Sequence, residues 1–139
     1  MIARPTTEQI LNECSRELIE VVLPAVTDDA VKVTVLMMDV VLRNTAKRAA
    51  NEIAWMTDEI NELASFVGAA GQSVADADDS LHLDDVVERY SRASEAFARA
   101  LETAVASGDD ALTRRGRAVL ARRLEREQEV MCGWSPVGR

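Results

Sequence analysis

Aromatic residues make up only 4% of this chain, and histidine occurs once, at His82. So few rings leave no row of aromatics on which nucleobases stack. A lone histidine excludes the paired Glu-x-x-His motifs that hold metals inside helical bundles, and no metal ligand set or cofactor motif is evident. Glycine and proline are also sparse, six and three, which implies long elements and few turns. The one glycine pair, Gly68-Ala69-Ala70-Gly71-Gln72-Ser73, has neither the lysine nor the strand context of a phosphate loop. The two cysteines, Cys14 and Cys132, share no motif and read as reduced thiols. No apolar run approaches the ~18 residues of a membrane span, and the opening MIARPTTEQ lacks a signal-peptide pattern. These absences predict a cytoplasmic protein that binds neither membrane nor nucleic acid.

The charge balance points the same way. Sixteen basic residues against 24 acidic ones give a net charge of −8, which opposes binding to phosphate backbones. The basic run Arg114, Arg115, Arg117, Arg122, Arg123 and Arg126 is interleaved with Glu125, Glu127 and Glu129. It reads as a solvated, ion-paired helix face.

What the chain has in quantity is helix-forming residues and apolar residues at helical spacing. With 47% hydrophobic residues in 139, it is long enough to bury a core in a single domain, expected over residues 1–132 with a tail at 133–139. Thr6 with Gln9 three residues later forms a capping-box pattern beside Pro5. The helix it opens carries Ile10, Leu11, Cys14, Leu18 and Val22 on one face and is disturbed by Pro24. Thr27, Asp28 and Asp29 start a second helix, predicted over about 28–67, with no proline or glycine before Gly68. Gly68 to Ser80, with Asp76, Asp78 and Asp79, reads as a loop that buries little. A third helix follows from about Leu83 with the stripe Val86, Val87, Tyr90, Ala93, Phe97, Leu101, Ala104 and Val105, ended by Gly108. Asp109 caps a fourth, whose apolar positions are Leu112, Val119, Leu120, Leu124 and Met131. The expectation is an all-α fold: a four-helix bundle, antiparallel between neighbours, with one long helix.

The long helix repays closer reading. Val35, Asp39, Leu42, Ala46, Ala49, Ile53, Met56, Ile60, Leu63 and Val67 alternate steps of four and three, a heptad seam with one acid in it. Its first half carries more: Val33, Leu36, Met37, Val40 and Val41 lie off the seam and widen the apolar surface. One neighbour cannot cover all of that, and water contact is unfavourable by roughly 25 cal/mol per Å². Either two helices of the same chain flank this end, or a second subunit does; a two-fold homodimer through these five residues is expected.

Two residues invite a binding role. Asp39 in the seam is costly unless partnered, and it either serves a ligand pocket or pairs with Arg43 one turn later. Trp55 lies off the seam among acids, as a partner-surface anchor or as a residue covered by its own chain. Glu52, Glu59 and Glu62 read as a solvated acidic face. With no nucleophile beside His82, no catalytic residue can be named and the enzyme reading is weak.

Arg4-Pro5-Thr6, Leu11 and Val22-Leu23-Pro24-Ala25 resemble the N-terminal pattern of a family of small uncharacterised bacterial helical proteins. Arg48-Ala49-Ala50-Asn51 is similar to that family's Arg-x-Ala-Ala-Asn helix, displaced along the chain. The resemblance implies an accessory role near aminoglycoside-phosphotransferase-like kinases and acyl-CoA dehydrogenases, and it carries over no site residue. Two readings of function follow: an oligomeric helical accessory or interaction protein with a possible further protein partner, or a helical bundle that binds a small molecule near Asp39, Arg43 and Trp55.

Overall fold

In a computed structural model, described for residues 4–74 and 79–131 with the side chains of residues 130 and 131 excepted, the chain is all-α. Cys132, Trp134, the tail 133–139 and the loop acids Asp76 and Asp78 lie outside the described residues, as does the Met131 side chain. Four main helices occur where the apolar spacing places them: α1 (Thr7–Glu17), α3 (Asp29–Ala69), α4 (Leu83–Ser107) and α5 (Asp110–Met131), with the single turn α2 (Leu23–Ala25) between the first two. No strand occurs among the described residues.

Local chemistry sets the ends. The Gln9 amide donates to Thr6 Oγ1 at 3.2 Å and the Thr6 amide to Gln9 Oε1 at 2.9 Å, a complete capping box. Asp28 Oδ1 accepts from the amides of Ala30 and Val31 and so caps α3. Between α1 and α2, Leu18–Val22 widen into a π-helical turn in which the Leu23 amide donates to the Leu18 carbonyl. Pro24, which has no amide hydrogen and whose ring crowds the carbonyl one turn back, follows directly. Gly108, at φ 72°, ends α4 in the left-handed conformation that costs glycine little. The Leu112 amide then donates to Asp109 Oδ1 at 2.9 Å.

The chain divides into two compact units: residues up to Asn51 with the chain from Glu127 onward, and Glu52–Arg126. The second holds the apolar core, Leu63, Phe66, Val67, Ala93, Ala96, Phe97, Ala100 and Val119. Phe66 and Phe97 meet with ring centroids 4.8 Å apart. Gly116 allows α5 to come close: a Cβ there would lie 2.6 Å from Leu101 Cδ1 and 3.1 Å from the Phe66 ring.

Helix directions in this unit differ in part from the antiparallel expectation. Along α3, Glu59, Glu62 and Ser65 contact Arg126, Arg122 and Arg115 in turn, so α3 and α5 are antiparallel. Glu59 contacts Tyr90 and Phe66 contacts Phe97, so α3 and α4 run parallel. A parallel pair needs a connection that carries the chain back along it, not a tight turn. The ends of that connection are anchored. Ala70 and Val74 pack on the core, where little burial was expected, and the Arg89 guanidinium donates to the Ser80 carbonyl at 2.6 Å.

Several stripe positions also face differently. Val87, Val105, Leu120 and Leu124 are exposed, whereas Phe66, Gly116 and Glu59 are buried. Close approach at Gly116 turns α5 so that Val119 faces the core while Leu120 and Leu124 face solvent.

The first unit is built differently. Among its described residues the buried apolar side chains are Val35 and Ala46, and Ser15 and Asp39 are buried with them. Ala49, a seam position, is exposed. Around the first half of α3, Val31, Val33, Leu36, Met37, Met38 and Val41 are between 41% and 57% exposed, and of these Val33, Met37 and Val41 face away from Val35 and Asp39.

Candidate functional site

Asp39 stands on α3 in the seam that α1 covers. Its side chain is 3% exposed, and both oxygens are engaged: Ser15 Oγ donates to Oδ1, and the Arg43 guanidinium to Oδ2. Ser15 sits on the inner face of α1, one turn beyond Leu11. Its hydroxyl supplies what a buried carboxylate needs, a donor, while Arg43 neutralises the charge from a side chain that remains 62% in water. A groove of about 460 Å³ opens beside the pair, lined by Asn12, Ser15, Arg16, Ile19, Glu20, Leu36, Asp39 and Arg43.

Most of the groove's charged side chains already have partners. Arg16 pairs with Glu13, Arg43 with Asp39, and Ser15 with Asp39. Ser15 donates to a carboxylate that Arg43 already engages, which weakens that carboxylate as a base for nucleophilic chemistry. The arrangement locks α1 onto α3. Trp55, half-buried, belongs to the second unit and is not among the residues lining this groove. His82 is exposed at the residue preceding α4.

A second buried charge lies in the other unit. Glu59 accepts from Arg126 Nη1 at 2.9 Å and from the Tyr90 hydroxyl at 2.7 Å, and Arg123 Nε lies 3.3 Å from it. Arg123 also donates to the Tyr90 oxygen at 2.5 Å and stacks over its ring at 5.3 Å from the centroid. Burial, and then the bond to Glu59, push the Tyr90 phenol above its usual value of 10.0. The arginine run of α5 is therefore not wholly a solvated face. Arg115, Arg122, Arg123 and Arg126 reach Ser65, Glu62, Tyr90 and Glu59 on neighbouring helices.

No family model, curated protein or solved structure matches the chain. Its own surfaces carry the functional argument.

The sequence singled out Val33, Leu36, Met37, Val40 and Val41. Val33, Met37 and Val41 are exposed and Val40 is half-buried, on the side of α3 away from Val35, Asp39 and Ala46, whereas the exposed Leu36 borders the groove beside Asp39. Met38, outside the heptad seam, is 50% exposed on the flank of α3 next to Met37. None of the helices among the described residues is long and apolar enough to cross a membrane. Among those residues no group of three or more His, Cys, Asp or Glu gathers as metal ligands.

Proposed function

We propose that the protein is a helical interaction protein, a homodimer that self-associates through the outer face of the first half of α3. The observation that carries this reading is the imbalance in the first unit. Its interior buries Val35 and Ala46 among apolar side chains, while Val31, Val33, Leu36, Met37, Met38 and Val41 stand in water. Val33, Met37 and Val41 share one exposed face of α3, and an exposed apolar face of that kind marks a contact surface. Association removes it from water at roughly 25 cal/mol per Å².

The second reading, a small-molecule binder around Asp39 and Arg43, has less support. Asp39 in that groove is already engaged by Ser15 and Arg43, so a ligand that used it would have to replace existing hydrogen bonds before gaining its own. An accessory role beside a kinase or an acyl-CoA enzyme, implied by the N-terminal resemblance, is compatible with a dimeric interaction protein and specifies no residue.

Native mass spectrometry of the purified chain separates the readings, because it reports subunit count and retained ligand together. A dimer without bound mass supports self-association. A monomer carrying a small molecule supports the binder.

A further inference from the structure

The outer face of α3 has a charge at each end of its apolar stretch, and the signs are opposite. Asp29, in the first turn, keeps 92% of its side chain in water while pairing with Lys32 at 2.8 Å. Lys47, exposed, donates to the Glu129 carbonyl with one of three ammonium hydrogens. Lys47 follows Asp29 by 18 residues, about five whole turns at 3.6 residues per turn. The two charges therefore project along the same edge of the helix, one before and one after the apolar stretch. Their midpoint along the helix axis falls at the level of Met37 and Met38, and the exposed Val33, Met37 and Val41 straddle that level.

Resting on the self-association reading above, we infer that the partner is a second copy laid antiparallel on this face, with the two-fold axis at Met37–Met38 and Asp29 of each subunit against Lys47 of the other. A two-fold axis perpendicular to the plane of two antiparallel helices keeps each edge on its own side and reverses the chain direction. It therefore brings each subunit's acid to the basic end of its partner, twice, while Val33, Met37 and Val41, one line of i, i+4 positions, meet in the middle. A parallel pair, whose two-fold axis runs along the helices, would carry this edge to the opposite side of the partner and leave Asp29 and Lys47 without each other. A contact of this kind is isologous and closes on itself, which limits the assembly to two copies.

The test is a charge swap read by sedimentation equilibrium of the full chain, with wild type, Asp29→Lys, Lys47→Asp and the double variant compared. Reversing either charge turns two exposed attractions into repulsions and should weaken the dimer by about tenfold. The double variant should return to near wild-type affinity, because the two signs are then exchanged and opposite charges face each other again. Local loss of the Lys32 pair and of the first-turn acid in Asp29→Lys would not be repaired at a site 18 residues away, so the rescue reports on the interface alone. A monomeric wild type overturns this inference and the self-association reading together. A dimeric wild type whose single variants keep full affinity, or whose double variant shows no recovery, overturns the antiparallel register and leaves self-association standing.

Discussion

Arg126 donates to Glu59 at 2.9 Å, joining residues 67 positions apart on antiparallel helices. Arg123 approaches the same carboxylate from one turn earlier on α5, and Tyr90 from α4. One acid thus ties the three helices of the second unit together. Replacing Glu59 by Ala leaves two guanidinium groups, 23% and 27% exposed, without their partner. Losing one member of a buried pair costs roughly 3–5 kcal/mol; the residual hydration puts this case at the lower end. Urea denaturation should show that loss, and an unchanged midpoint would mean that Arg123 and Arg126 find water readily.

Tyr90 is the only tyrosine in the chain, so its phenolate absorbance reports one site. Burial and Glu59 keep the phenol protonated beyond its usual 10.0. A folded-state value raised above the unfolded one stabilises the fold fully below about pH 10 and is lost as pH rises through the folded value. Spectrophotometric titration should therefore place the midpoint above that of free tyrosine, returning to it in denaturant. Equal midpoints in both conditions would contradict the buried hydrogen bond.

Two glycines should respond with opposite sign to the same change. Gly68→Ala meets nothing within 4 Å and should stabilise by up to ~1 kcal/mol, as alanine does in helices. Gly116→Ala gains the same propensity but forces a methyl to within 2.6 Å of Leu101 and 3.1 Å of Phe66. Overpacking of about 1–3 kcal/mol exceeds the gain. Thermal melts should rise for the first variant and fall for the second; a rise for both would show that α5 shifts freely.

Asp39→Ala tests the lock between α1 and α3. It leaves the buried Ser15 hydroxyl without its acceptor, a loss of about 1–3 kcal/mol. Asp39→Asn keeps an oxygen for Ser15 and should lose less. Hydrogen exchange of the α1 amides, Thr7–Glu17, should speed up most for the alanine variant and less for the asparagine one. Unchanged exchange would show that Ser15 and Asp39 do not hold α1 in place.

The helices were legible because their signals are local. The Thr6–Gln9 box, the Asp28 cap, the uninterrupted run of α3 and Gly108 at the end of α4 each act within a turn of their own position. What the spacing did not reveal depends on neighbours distant in sequence. Glu59 looks like part of an acidic surface until Arg123 and Arg126 arrive from 64 and 67 residues away. Ser15 has no apolar signature, yet it faces inward because the seam acid needs a donor there. The parallel pairing of α3 and α4 follows from which residues touch, a fact that no period encodes. Val87 and Leu124 satisfy a helical stripe and are still exposed, since a three-helix core is narrower than the stripes that form it.

The central claim is that the outer face of α3 is an interface. Sedimentation velocity of the wild type beside Met37→Glu tests it most directly. Met37 is 52% exposed in the single chain, so a glutamate there costs the isolated fold little. In a two-fold contact centred on it, two glutamates would meet in an apolar, poorly hydrated patch. The account predicts a wild-type dimer at micromolar concentration and a Met37→Glu monomer with an unchanged far-ultraviolet helical signal. A wild type that sediments as a monomer at high micromolar concentration, or a Met37→Glu variant that remains a dimer, would contradict it.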